Sequence, residues 1–376
     1  MTRRAESRSS ERALLVWAYR KRRPAPGILP PPDPLEELKS LVMAAGGIVA
    51  GTHAQALSSE NPATLIGSGT VEKLKETVGE KEVNLVVFQN RLRPNQQAAL
   101  EKELGVKVLD RREVILDIFA RRARSREGKL QVELAQLSFR MGRLIGGRRD
   151  LSRLGGGIGT RGPGEKKLEE DRRRIRTHIR QIERELLTVR RTRALHYRRR
   201  REVGFPVVAL VGYTNAGKST LFNRITGSDV FVADQLFATL DPTARRFSLP
   251  GGKPAILVDT VGFIHDLPVE LREAFLATLE GIGEADLLVH VVDGSTGMME
   301  ENLSSVEGIL SDLGFSGKPT LLAVNKSDLT GEEGRCPPES IRISAVTGSG
   351  IPSLLKEVEG GLWLHRSAGN GSTRRG

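Results

Sequence analysis

The chain has 376 residues, 38% of them hydrophobic, and a formal net charge of +12 with a pI near 10.1. That length allows two or three domains with packed cores, and the basic excess fits a polyanionic partner. The single Cys336 excludes an intramolecular disulfide and a cysteine-based zinc site and suits a reducing cytoplasm, and no apolar run is long enough to span a membrane.

Residues 1–10 are basic and polar and lead into no signal-peptide core, so a disordered tail is expected. Residues 11–125 alternate strand-like and helix-like segments. Strands are expected at 13–17, 48–50, 64–66, 84–88 and 106–109, with helices at 35–45, 71–78, 94–104 and 114–123. Pro24 to Pro34 is a connector that cannot be helix interior. The alternation predicts a small α/β domain with a parallel sheet and crossover helices. No catalytic constellation occurs in it, and His53 stands alone.

Residues 126–201 change character. Leu130, Leu134, Leu137, Met141 and Leu144 form one stripe, and Leu168, Ile175, Ile179, Ile182, Leu186 and Val189 form another. Two such stripes predict two helices paired as an antiparallel hairpin. Between them, Gly146 to Gly164 is rich in Gly and Arg. Residues 165–201 carry 15 Lys or Arg against 6 Asp or Glu, which is +9 of the chain's +12. A solvated helix face is the ordinary reading of a charge run. Here the excess has one sign and adjoins an Arg-bearing loop, so RNA contact with a strong salt dependence is expected.

Residues 202–365 read as a nucleotide domain. Strands are expected at 207–211, 255–258, 287–292, 320–324 and 341–343, with helices at 219–225, 268–280, 299–311 and 353–359. The pattern predicts an open, mostly parallel, doubly wound sheet with ligand at the strand ends. Residues 366–376 read as a second disordered tail.

The first strand of this domain runs into Gly212-Tyr213-Thr214-Asn215-Ala216-Gly217-Lys218-Ser219, a G-x-x-x-x-G-K-S phosphate loop. Its glycines let backbone N–H groups converge on an anion, and the next helix adds its N-terminus. Lys218 is placed to reach the terminal phosphates and the Ser219 hydroxyl to ligate Mg²⁺. Asp259-Thr260-Val261-Gly262 follows a second strand and supplies a carboxylate for a Mg²⁺-bound water and an amide for a terminal phosphate. Asn325-Lys326-Ser327-Asp328 follows a third. The Asp328 carboxylate can accept both donors of the guanine edge, and losing that match would leave a buried carboxylate unpaired, so guanine is expected over adenine. Ser344, Ala345 and Val346 could offer an amide to the guanine carbonyl. Phe237, Ala238, Thr239, Leu240 and Asp241 fall where a first switch belongs, with Thr239 the expected Mg²⁺-sensing hydroxyl and Thr243 its alternative. Phe263 stands where many such enzymes carry a water-orienting Gln, so the catalytic group is unassigned and hydrolysis is expected to be slow without a partner. His265 is a weak substitute because nothing in the sequence fixes its direction.

The order and spacing of these motifs resemble the translation-factor branch of small GTP-binding domains. The whole chain from Glu11 to Leu364 resembles the HflX family of GTPases. The resemblance is carried by Gly155 to Glu165, Leu168-Glu169, Asp171-Arg172-Arg173, Asp117 to Ala120, Gln131 to Leu137, Leu236 to Thr243 and Asp259 to Ile264. Lys166-Lys167 depart from the Thr-Gln often found there. The resemblance implies a GTP hydrolase using Mg²⁺ that binds the large ribosomal subunit and its RNA. It implies a part in splitting or rescuing ribosomes under stress, with subunit assembly as an alternative. A third reading keeps the chain as an RNA-binding scaffold with little turnover. Any membrane association would be peripheral.

Overall fold

The computed structural model describes residues 11–20, 34–151, 163–228, 236–237, 243–265, 268, 271, 282–330 and 336–369. The chain falls into two compact units, Met1–Arg121 with Glu133–Ile182, and Arg122–Val132 with Glu183–Gly376. The loop expected at 146–164 is shorter, because helices cover 146–151 and 163–164; its remainder at 152–162, most of the expected helix at 268–280 and both termini lie outside the described residues.

The first unit holds β1 (Arg12–Arg20), α1 (Pro34–Ala44), β2 (Ile48–Leu57), α2 (Ser68–Glu80), β3 (Leu85–Phe88), α3 (Pro94–Leu104), β4 (Lys107–Asp110) and α4 (Arg111–Arg122). Its sheet has the order β2-β1-β3-β4, with every pairing parallel. A parallel sheet is covered on both faces, and β3 accordingly reads Leu-Val-Val-Phe with all four residues buried. Leu14, Val16, Phe88, Leu74 and Leu100 pack as one core.

One expected strand is replaced by a turn. At 64–66 only Leu65 bridges, back to Asn61, and Leu65 has φ of 68°. The Asn61 carboxamide accepts the Ala63 N–H at 2.8 Å. Local Asx-turn chemistry beside Pro62 outweighs the strand preference of Thr and Ile.

The long helices are α5 (Arg126–Leu151) and α6 (Pro163–Val203). Within the first unit Glu133 meets His178 at 3.3 Å, while Arg140 and Leu144 share a cleft with Asp171 and Ile175. Rising numbers on one helix thus meet falling numbers on the other, which is antiparallel pairing. Further along the α6 stripe, Ile182 and Leu186 are buried.

The second unit continues with β5 (Val207–Val211), α7 (Lys218–Thr226), β6 (Thr243–Ser248), β7 (Pro254–Asp259), β8 (Leu287–Asp293), α8 (Met299–Asp312), β9 (Thr320–Asn325), α9 (Ser327–Thr330), β10 (Ile341–Arg342) and α10 (Ile351–Gly369). The sheet order is β10-β9-β8-β5-β7-β6. All pairings are parallel except β6 with β7. No sequence pattern marks β6, because this edge strand carries exposed Arg245 and Arg246 and buries only Phe247 deeply. A turn at Gly252, with φ of 77°, joins it to β7.

Helix α10 runs ten residues beyond Glu359, through Gly360-Gly361, which reads in sequence as a stop. The tail expected from Arg366 therefore begins inside a helix. No described helix is long and apolar enough to cross a membrane.

Phe222 of α7 is fully buried among Val208, Leu210, Leu257 and Leu354. Phe222→Ala should cost about 3–5 kcal/mol, read as a lowered denaturant midpoint of the second unit with the first unit's transition unmoved.

Candidate nucleotide site

The site lies at the carboxyl ends of β5, β7, β8 and β9. Gly212 ends β5 with φ of 150°, and a Cβ there would stand 2.2 Å from the Val291 carbonyl oxygen of β8. Only glycine allows that approach. Gly217 has φ of 90°, and a Cβ would stand 2.2 Å from Asn325 Nδ2. Asn215 also adopts a left-handed φ, of 62°. The loop is thus bent to a shape that its residue types specify.

Lys218 opens α7 and is 6% exposed. Its Nζ donates to the carbonyls of Gly212 at 3.0 Å and Tyr213 at 2.7 Å. Burial lowers its pKa from 10.5 to about 8, with Asp259 acting in the opposite sense. Ser219 Oγ donates to Asp259 Oδ2 at 2.8 Å. Asp259 is fully buried at the end of β7, and the Thr260 hydroxyl donates to the Leu210 carbonyl at 2.6 Å. A hydroxyl and a single carboxylate suit Mg²⁺, which keeps most of its water, so the residues present fit that ion. No group of three or more His, Cys, Asp or Glu suited to a metal occurs among the described residues.

Val261, Gly262 and Phe263 lie against the phosphate loop. A Cβ on Gly262 would stand 2.9 Å from Thr214 Cα and 3.1 Å from Lys218 Nζ. Phe263 is buried and forms a parallel bridge with Tyr213. His265 is directed after all: its N–H donates to Tyr213 Oη at 2.8 Å, and the two rings lie 5.0 Å apart at 51°.

The guanine motif is assembled around Asn325. Its Nδ2 donates to the Ala216 carbonyl at 2.8 Å, and its Oδ1 accepts the Ala345 N–H at 2.9 Å. One buried side chain therefore ties the phosphate loop, β9 and the 344–346 loop together. Lys326, with φ of 67°, pairs with Asp293 at 2.7 Å. Ser327 N–H donates to the Ile343 carbonyl at 3.1 Å. The Ser344 hydroxyl donates to Asp328 Oδ1 and also accepts the Thr347 N–H. Asp328 is exposed on the short α9, and the Ser344 hydroxyl braces it. Val346 is 68% exposed.

Of the expected switch residues, Phe237 is buried with φ of 57°. Ala238, Thr239, Leu240 and Asp241 lie outside the described residues, and Thr243 begins β6 opposite Asp259. Sequence reasoning missed Asp293 and His290. Asp293 ends β8 as the other polar residues end their strands, which was a usable signal. His290 is buried, and burial with Lys218 nearby lowers its pKa to about 4; inside an apolar strand it gave none.

These loops on this sheet define a P-loop GTPase. Family profiles agree along the chain: "GTP-binding GTPase N-terminal" over 33–120, "GTP-binding GTPase Middle Region" over 122–200 and "50S ribosome-binding GTPase" over 207–326. GTPase HflX of Caldanaerobacter subterraneus subsp. tengcongensis is 49% identical over 94% of this chain and 81% of that protein. GTPase HflX of Escherichia coli is 44% identical over 87% and 78%. The crystal structure of SsGBP with GDP shares the fold at 24% identity and a TM-score of 0.50, covering 93% and 97%. The chain belongs to the HflX family of GTPases, and its reaction is hydrolysis of GTP to GDP and phosphate.

The Lys218 environment fixes a pH dependence. The unfolded lysine keeps its proton to about 10.4 and the folded one only to about 8, so between these values the unfolded chain binds more protons. Stability of the nucleotide-free second unit should therefore rise with pH across that window. GDP affinity should move oppositely, falling above pH 8 by at most about tenfold per unit, measured by titration calorimetry.

Proposed function

We propose that this chain binds the large ribosomal subunit and couples GTP binding and hydrolysis to splitting or rescue of ribosomes. The reading gives 11–125 as an N-terminal α/β module, 126–201 as an RNA-facing hairpin and 202–365 as the switching domain in the cytoplasm. The observation that carries it is the assembly of the phosphate loop, Asp259–Gly262 and Asn325–Asp328 at one sheet edge, in a chain whose 165–201 segment holds +9 of its charge. The family profile description "50S ribosome-binding GTPase" supports the same partner.

In this reading the amides of Tyr213 to Ser219 cradle the phosphates and Lys218 neutralises their charge. Ser219 and Thr239 would hold Mg²⁺, with Asp259 on one of its waters, and the ion when bound would offset charge on the phosphate oxygens. Asp328 reads the guanine edge, braced by Ser344, with Ala345 and Val346 closing the base pocket. The side chain of Phe263 offers no hydrogen bond to a water. Turnover is therefore slow alone, and the ribosome supplies or positions what is missing.

The test is GTP turnover by the whole chain with and without large subunits. Stimulation of about a hundredfold or more is expected, the usual worth of a completed proton-transfer or water-orienting group. Background turnover with saturating subunits would leave the scaffold reading. Release of subunits from intact ribosomes separates splitting from assembly, which predicts binding to immature particles only. Reversing the charge of Arg190, Arg191, Arg193 and Arg198 to Arg201 should weaken RNA binding. The slope of log affinity against log salt should flatten by about 0.7–0.9 for each phosphate that is no longer neutralised.

A further inference from the structure

We infer that Tyr213 is a positioning residue that latches the segment after Gly262 onto the phosphate loop, and so sets how strongly the site favours GTP over GDP. The inference rests on the phosphate-loop reading above and goes beyond it to one hydroxyl group.

Three bonds among the described residues join Gly212–Thr214 to Phe263–His265. Thr214 N–H donates to the Phe263 carbonyl at 2.7 Å, and Phe263 N–H donates to the Gly212 carbonyl at 3.1 Å. The third is His265 N–H to Tyr213 Oη at 2.8 Å. The first two are backbone bonds that any sequence could make. The third is made by a side chain and is the only one of the three that a substitution can remove alone. Tyr213 is 9% exposed, so its hydroxyl sits where a hydrogen bond is poorly replaced by water.

The conformation they hold is satisfied from within. Lys218 Nζ is bonded to two carbonyls of the loop, and Ser219 is bonded directly to Asp259. Gly262 is pressed onto Thr214 and Lys218, close enough that a Cβ would collide. A γ-phosphate needs the Gly262 amide, so it must draw this segment out of its present packing. A diphosphate makes no such demand. The latch therefore opposes the triphosphate selectively, and a ligand shifts the equilibrium only by its differential affinity for the two arrangements.

Tyr213→Phe removes the hydroxyl and keeps the ring. Affinities of the full chain for GDP and for a non-hydrolysable GTP analogue, both with Mg²⁺, give the readout. The variant should shift their ratio about two- to tenfold toward the triphosphate, the weight of one hydrogen bond. His265→Ala keeps the donating N–H and should retain the wild-type ratio. Hydrogen exchange at the His265 amide is the second measurement. It should be protected in the GDP complex, and both the variant and the triphosphate analogue should release it. An unchanged ratio, an equal loss for both nucleotides, or a shift toward GDP would overturn the latch. So would an equal shift in His265→Ala, which would assign the effect to the packing of the two rings. Failure of the underlying phosphate-loop reading looks different: Lys218→Ala would then bind both nucleotides as well as wild type.

Discussion

The second unit depends on burying one ammonium group at a bend in its backbone. A lysine at 6% exposure is tolerable only if its donors find partners, and here two backbone carbonyls accept from it. Those carbonyls belong to Gly212 and Tyr213, and Gly212 can stand where it does only because β8 presents a carbonyl to a residue without a Cβ. The charge thus fixes the loop, the loop fixes its approach to β8, and the strand order β9-β8-β5-β7 gathers the remaining motifs around it. Asn325 closes the arrangement from the other side through Ala216 and Ala345. The phosphate loop, β9 and the 344–346 loop therefore share one buried network through Asn325.

The parts legible in the sequence are those where residue type and backbone shape are bound together. Gly212, Gly217, Lys218, Asp259 and Asn325 could be placed because each is demanded by local geometry or by a phosphate or guanine partner. Buried parallel strands were legible as apolar runs, unbroken in β3 and interrupted only by His290 before Asp293 ends β8. The misses have a common cause. The strand β6 is an edge whose arginines face water, so burial wrote no pattern into it. Leu65 reads as a strand residue but is held by a turn. Tyr213 with His265, and Asp293 with Lys326, are pairs of residues 52 and 33 positions apart, brought together by the sheet order rather than by any periodicity.

The long basic helix α6 poses the opposite problem, because its charge was legible and its stability was not. A 41-residue helix with so few apolar positions does not hold itself together by burial along its whole length. Ile182 and Leu186 bury its apolar stripe, Arg172 is nearly buried beside Glu169 at 3.5 Å, and His178 meets Glu133 on α5. Fifteen bases against six acids leave residues 165–201 with an excess of +9. The segment is anchored at a few places along a strongly basic helix.

Phe263 connects this chemistry to the switch. Its N–H and carbonyl are both committed to the phosphate loop, and its side chain is buried. A polar, water-orienting side chain at that position would have to leave this packing or be buried with its hydrogen bonds unmet. The residue therefore serves attachment rather than chemistry. The segment after Gly262 is held to the phosphate loop by strand-like bonds and by the Tyr213 hydroxyl, which gives it a defined arrangement. Displacing this segment requires a ligand or partner that binds its released form more tightly than the packed one.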